Sequence, residues 1–323
     1  MTYNLDLKDK KLLHELDCNC RRSFNQLAKK VGLSKNSISY RIDNLRKEGI
    51  IKSFNTIIDI GKLGYINFRL YFNLQNASLK KEMEIIEFLR KKESVIWLGS
   101  MEGLYNIGAI IVTKSITEMN SLWEELFSKY INYFGERSFT IITKSTYFSR
   151  AYLLGGVKTI EEIENSILPT KVDLDSIDEK LIKILSTDSR AQIIDISKSL
   201  KLSPKTIISH LRKLEKEKII VGYRTFFDVE KLGYEYFKIS FILMNVSKEK
   251  EKEFRNYIIT HPNIIYQEEV LGGGDFEIDL EVLNTKELNT VIREIKSKFG
   301  DIINDYLVLH VSKEHKDLYF PSN

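Results

Sequence analysis

The stretch LSKNSISYRIDNLRKEGIIKSF at residues 33–54 comes back as LSPKTIISHLRKLEKEKIIVGY at residues 202–223. Working outward from that pair, Leu5–Tyr65 lies over Leu174–Tyr234 without a gap, at a shift of 169 residues. About a third of these positions are identical, and the tight match ends with DIGKLGY (59–65) over DVEKLGY (228–234). A looser likeness continues as FRLYFNL (68–74) over FKISFIL (237–243). The chain is a tandem duplication. Its period is far longer than the 20–50 residues of a solenoid repeat, so each copy is a domain pair in its own right.

Inside the quoted stretch, Ile38, Ile42 and Leu45 recur at helical spacing, and Ser34 stands where a cap belongs. Upstream, Ser23 and Gln26 have capping-box spacing ahead of Leu27, Ala28 and Val31, and Gly32 ends that helix. Leu12, Leu13 and Leu16 stripe an earlier helix. Copy two repeats the scheme with Ile207, Leu211 and Leu214, and places Pro204 behind Ser203, where a missing N–H costs nothing. Three short helices with a tight turn between the last two make a helix-turn-helix. FNTII (54–58) and RTFFD (224–228) read as extended.

The order strand–helix–strand–strand–helix–strand follows in each copy. Copy one places strands at about 67–75, 94–99, 105–113 and 138–149, with helices at about 79–91 and 116–134. Copy two places strands at about 236–246, 264–271, 276–283 and 303–312, with helices at about 248–260 and 285–299. That order fits a four-stranded antiparallel sheet with both helices on one face. The expected fold class is therefore α+β, with two winged helix-turn-helix domains (1–55 and 172–224). Each is followed by a ferredoxin-like βαββαβ antiparallel-sheet domain (56–150 and 225–323), and a linker at 151–171 joins the copies.

Composition sets the outer bounds. At 323 residues, two or more domains are expected, and 43% apolar with 29% charged residues is ordinary globular usage. No apolar run approaches the ~18 residues of a membrane span, and MTYNLDLKDK does not read as a secretory signal, which points to the cytoplasm. Cys18 and Cys20 are too few for a disulfide framework or a four-ligand zinc site. Thr187 and Ser189 align with them, so these positions take small polar side chains in a helix-ending turn. His14, His210, His261, His310 and His315 show no metal-ligand spacing, and no Ser/His/Asp set can be argued. No metal, cofactor or catalytic residue is expected. Charge is uneven: residues 1–55 hold twelve Lys/Arg against six Asp/Glu, and residues 172–224 hold eleven against eight. Residues 225–323 hold twelve against eighteen. Two separated basic segments suit a polyanion partner.

The D-x-x-D-x-x-[LI] opening of each copy (Asp6, Asp9, Leu12; Asp175, Asp178, Leu181), Arg21 and Arg190 carry a family resemblance. So does the segment Leu33, Ser34, Ser37, Ile38, Arg41 and Ile42. Each copy resembles an Lrp/AsnC-type transcription regulator, over about 5–149 and 174–315. Copy two keeps Leu202, Ser203, Thr206, Ile207 and Leu211 but has His210 in place of Arg41. The resemblance implies a sequence-specific regulator of double-stranded DNA rather than an enzyme, with a downstream domain for effector binding and oligomerisation. Single-copy relatives dimerise through their sheets, so here two sheets are expected to pair within one polypeptide, a covalent pseudo-dimer open to further homo-oligomerisation. Residues 53–58 and 222–228, too short to be stable alone, are expected to pair antiparallel between the copies.

On the recognition helix of copy one, Ser34, Lys35, Asn36, Ser37, Ser39, Tyr40 and Arg41 occupy the surface left by the apolar stripe. Its N-terminal end would enter a major groove, with Asn36 suited to adenine, Lys35 to guanine and Arg41 to a phosphate. Copy two offers Ser203, Lys205, Thr206, Ser209, His210, Arg212 and Lys213, with Ile208 in place of Ser39. An apolar residue there either meets a thymine methyl or packs against protein. The family's effector loop falls at Gly272, Gly273, Gly274 and Asp275. Free backbone N–H groups there would cradle a carboxylate, and Asp275 would take the ammonium of an amino acid. The plainer reading of the same run is a glycine-rich hairpin turn. In copy one the loop Gly99–Tyr105 reads as two residues longer, with Leu104 where Asp275 falls.

Two other readings use the same layout. Siroheme decarboxylases share it, and Tyr105-Asn106 resembles part of their pocket. No histidine precedes Tyr105 nearby, however, and a basic cluster for many carboxylates is missing. A non-DNA-binding adaptor of the same fold is the third reading, and the two basic segments speak against it.

Overall fold

The computed structural model describes residues 4–156, 163–166 and 172–321. Copy one opens with α1 (Leu7–Cys18), α2 (Phe24–Val31) and α3 (Lys35–Lys47), then β1 (Ile51–Ile58). It continues as β2 (Ile66–Leu74), α4 (Leu79–Arg90), β3 (Val95–Glu102), β4 (Ile107–Thr113), α5 (Ile116–Tyr130) and β5 (Phe134–Tyr147). After β6 (Ile163–Ser166), copy two repeats the order with α6 (Ser176–Thr187), α7 (Ile193–Leu200), α8 (Pro204–Lys216) and β7 (Ile220–Phe227). It ends as β8 (Glu235–Leu243), α9 (Lys248–Thr260), β9 (Ile264–Leu271), β10 (Phe276–Val282), α10 (Thr285–Phe299) and β11 (Ile303–Asp317).

Local chemistry sets the helix ends. Ser23 and Gln26 exchange both arms of a capping box, Gly32 turns left-handed at φ +71°, and Ser34 Oγ accepts from the Ser37 N–H at 3.1 Å. Copy two is less well finished. Gln192 gives α7 no side-chain cap, and Lys201 holds the left-handed φ of +55° that Gly32 takes in copy one.

The two helical units share one core. Leu12, Leu16, Leu27, Ile38 and Leu45 pack in the same cluster as Leu181, Leu185, Ile207 and Leu214. The expected pairing is present: β1 and β7 form an antiparallel ribbon, with Phe54 opposite Thr225 and Asn55 opposite Arg224. Beside it a local pseudo-twofold axis passes between equivalent residues. Cys20 Sγ lies 2.9 Å from Ser189 Oγ, Arg21 donates to the Ser189 carbonyl, and Arg190 donates to the Cys20 carbonyl. Burial pushes the Cys20 thiol up to about 11, so it stays a neutral thiol, unlike the low-pKa thiolate of a redox sensor.

Each βαββαβ unit makes a sheet, in the orders β5-β2-β4-β3 and β11-β8-β10-β9. β3 pairs with β11 and β5 with β9, all antiparallel, so the eight strands close into a barrel with no free edge. The helices lie outside. α4 and α5 bury Ile85, Leu89, Met119 and Leu126 against Phe68 and Phe72, while α9 and α10 bury Phe254, Ile258, Ile295 and Phe299 against Phe241 and Ile278. The inner faces meet in a cluster of Tyr71, Trp97, Met101, Tyr105, Leu309 and Val311.

A buried ionic hub ties the helical body to the barrel. Asp17, at the end of α1, accepts from Arg150 Nη1 at 2.6 Å, the Arg150 backbone N–H at 2.8 Å and Arg224 Nη2 at 2.7 Å. Arg150 also donates twice to Glu281 of β10, at 2.8 Å each. The segment expected as a linker contributes β6, which pairs with the end of β5, and Asn165 Nδ2 donates to the Ile58 carbonyl at 3.1 Å. Residues 157–162 and 167–171 of that segment lie outside the described residues.

Two expectations need correction. The β3–β4 and β9–β10 hairpins have equal length, and Asn106, not Leu104, takes the place of Asp275. The reason is a shared cap: Asn106 Oδ1 accepts from the Leu74 N–H at 2.7 Å, and Asp275 Oδ2 accepts from the Leu243 N–H at 2.8 Å. The second concerns bounds: α5 stops at Tyr130, and a 3₁₀ turn at Ile131–Tyr133 lets β5 start at Phe134 rather than 138.

Candidate nucleic-acid interface

With Ile38, Ile42 and Leu45 turned inward, α3 presents Lys35, Asn36 and Tyr40 to solvent, and Tyr40 is 67% exposed. Ser34 is exposed at the helix start, and Ser37 and Ser39 are half-buried beside it. Lys35, Arg46 and Lys47 have no carboxylate partner among the described residues, so they are cations open to an anion. α8 repeats the arrangement. Ser203 Oγ accepts from the Thr206 N–H at 3.1 Å, and Lys205, Ser209 and Arg212 face outward. Ile208 is 37% exposed, so it is not packed into the core of its helical unit.

Arg41 sits differently. Its Nη1 bonds Asp9 at 2.6 Å and Asp6 at 2.9 Å, so it clamps α3 to the start of α1. Asp6 also caps α1, accepting from the Asp9 N–H at 2.7 Å. That backbone bond, with Arg41, holds the Asp6 carboxyl below its ordinary value. Copy two builds the same clamp from other residues. His210 Nδ1 lies 2.7 Å from Asp178 Oδ1, and Lys213 Nζ lies 2.6 Å from Asp178 Oδ2. The D-x-x-D opening is therefore the acidic half of a helix–helix clamp, a role that the sequence reading did not give it. The signal was there, since both copies carry the motif and both put a cation-forming residue at the position of Arg41. Donor atoms of Asp175, Asp178 and His210 lie within 4.8 Å of one another, but the Lys213 ammonium already sits on Asp178.

The glycine run has a conformational explanation. Gly272 and Gly273 have φ of +78° and +90°, and a Cβ on Gly274 would stand 2.0 Å from Ser240 Oγ. Asp275 is engaged with the Leu243 N–H. Gly273 and Gly274 also line a pocket of about 370 Å³ at one end of the barrel, with Arg69, Tyr71, Lys238, Glu277 and Asp279.

A family profile described as winged helix-turn-helix DNA-binding matches residues 5–52 and 174–221, the two helical units. The HTH-type transcriptional regulator FL11 of Pyrococcus horikoshii is 34% identical over 149 residues, 46% of this chain and 97% of the relative. The regulatory protein AsnC of Haemophilus influenzae is 31% identical over 120 residues, 37% of this chain and 79% of AsnC. The chain belongs to the Lrp/AsnC family. It is an Lrp/AsnC-type DNA-binding regulator in tandem form, since each relative spans about one copy. Among solved structures, the siroheme decarboxylase NirDL matches with a TM-score of 0.64 at 14% identity, covering 98% of this chain and 94% of that one. What this Lrp/AsnC chain shares with it is the fold. No helix among the described residues is long and apolar enough to cross a membrane.

Proposed function

We propose that the chain acts as a covalent pseudo-dimer on an asymmetric operator in double-stranded DNA, with α3 making the stronger half-contact and α8 the weaker. The observation that carries this is the β1–β7 ribbon with its shared core, which holds two non-identical recognition helices in one body. A homodimer presents one helix twice and favours a palindrome with half-sites about one turn apart. Here Asn36, Ser39, Tyr40 and Arg41 stand opposite Lys205, Ile208, Ser209 and His210. Because the second contact is intramolecular, a weak α8 still binds at high effective concentration. Selection of bound duplexes from a random pool tests this. Unequal half-sites are expected, and a strict palindrome with equal information in both halves would refute the reading.

The same proposal includes an amino-acid-type effector at the Gly272–Asp275 end of the barrel. With Asp275 engaged, the pocket there presents two ion pairs, Arg69 with Glu277 and Lys238 with Asp279, and a zwitterion would bind by exchanging its own charges into them. A decarboxylase reading is less well supported. Tyr105 stacks on Tyr71 with ring centroids 5.6 Å apart, Asn106 is a strand cap, and the lumen holds more carboxylates than cations, a poor match for a polyanionic tetrapyrrole. An adaptor reading leaves the exposed cations of α3 and α8 without a purpose.

A further inference from the structure

The barrel lumen contains a second cavity, of about 90 Å³, whose wall includes Asn67, Trp97, Tyr147, Tyr236, Glu314 and Asp317. In and around it, among the described residues, seven carboxylates face Arg69, Lys238, Arg150 and Arg224, the Lys52 charge also reaches Glu314 and Asp317, and the direct pairing is specific. Arg69 takes Glu268 and Glu277, Lys238 takes Asp279 at 2.6 Å, Arg150 takes Glu281 and Asp17, and Arg224 takes Asp17. Two carboxylates are left over. Glu314 accepts only the Trp97 indole N–H at 2.9 Å, and Asp317 has no side-chain partner among the described residues. Burial and the neighbouring Glu314 charge push the Asp317 carboxyl up to about 8, so at neutral pH it holds its proton until a cation beside it draws the proton off.

An independent feature of the same wall also asks for a donor. Asn67 is 5% exposed, and its Oδ1 accepts no hydrogen bond in the described structure. An unsatisfied buried acceptor costs about 1–3 kcal/mol, so a donor supplied there is favoured. Of the rings that line the space, Trp97 and Tyr236 already lie under the Lys238 ammonium and Tyr147 and Tyr266 under the Arg224 guanidinium, so Tyr319 is the ring left to a further cation among them. Glu314, Asp317 and Tyr319 stay partly exposed, so the cavity opens along the end of β11.

We propose that this lumen cavity is a binding site for a small organic cation, an alkylammonium or guanidinium head seated between Glu314 and Asp317 with Asn67 Oδ1 accepting one of its N–H groups. The volume excludes large occupants, since an apolar cavity of roughly 150 Å³ is what benzene needs. The site belongs to one copy alone. Ser145 and Phe148 stand 169 residues before Glu314 and Asp317, so the duplication placed both acids on one side of the axis. A symmetric pair of chains would bring two of each into the same lumen. The inference goes beyond the regulator reading and does not depend on DNA binding.

Isothermal titration calorimetry of the full-length protein tests it, with ethylammonium chloride and methylguanidinium chloride as separate probes and ionic strength held with sodium chloride. Saturable binding is expected for at least one probe. It should weaken at least about tenfold in E314Q/D317N, as expected when charge-assisted hydrogen bonds are lost. It should also weaken in N67L and stay unchanged in E253Q, a change on the exposed face of α9. No saturable heat with either probe, or equal affinity in E314Q/D317N, would overturn the proposal. If the double variant does not fold, N67L decides, and undiminished binding there overturns it as well.

Discussion

Asp17→Asn is the sharpest test of how the helical body is fixed to the barrel. The Asp17 carboxylate is fully buried and, among the described residues, is the only carboxylate paired with Arg224, while Arg150 keeps Glu281. The amide keeps the shape but loses the charge, and its NH₂ faces guanidinium donors. Removing one partner of a buried pair typically costs about 3–5 kcal/mol, because the remaining charge stays buried. At roughly 2–4 °C per kcal/mol for a domain of some 150–250 residues, the melting temperature should fall by about 6–20 °C. Calorimetry together with circular dichroism at two wavelengths reads this and checks that the transition is cooperative. The pH dependence follows. Burial pushes the Asp17 carboxyl up, but Arg224 and Arg150 outweigh burial and hold it below its ordinary value. A depressed folded pKa contributes stability above the unfolded value near ~4 and loses it as pH falls through the folded one. The gap between wild type and variant should therefore close on acidification. A loss under about 1 kcal/mol at neutral pH, or a gap that widens in acid, would refute the argument.

Other consequences are simpler to read. Affinity for duplex DNA should fall steeply with salt, as Lys35, Arg46, Lys47, Lys205 and Arg212 release counterions; a flat response across a tenfold salt range would rule out phosphate contact. Asn36→Ala should erode sequence preference with little effect on unfolding, measured by competition against scrambled duplexes. Arg41→Ala should lower both DNA affinity and unfolding temperature, because its guanidinium also holds Asp6 and Asp9. Lys201→Gly should stabilise copy two by about 0.5–1 kcal/mol in urea titration, by relieving its left-handed backbone.

How much of this was legible depended on distance along the chain. The helix-turn-helix units rest on caps and apolar spacing within a few residues, so Ser23, Gly32, Ser34 and Pro204 announced them. The barrel's charged lumen did not. FEIDLEV (276–282) alternates apolar and acidic residues, and such a strand normally turns its acids to water. Closure by β3–β11 and β5–β9, between residues some 200 or more apart at one seam and over 100 at the other, turns Glu277, Asp279 and Glu281 inward instead. The hub was hidden for a related reason. Asp17 aligns with Ser186, so the repeat itself gave no hint of an ion pair there. Arg41 read as a free phosphate contact because its partners lie 32 and 35 residues upstream.

The contact of Cys20 with Ser189 has an evolutionary side. In a twofold homodimer, a residue on the axis meets itself, so every substitution arrives in duplicate and must tolerate its own image. Joining the copies in one gene lifts that rule. A thiol can face a hydroxyl, and either side can change without its counterpart changing with it. The axis is where a symmetric pair is most constrained by its own image, so it is where joining the copies frees the most choices of residue.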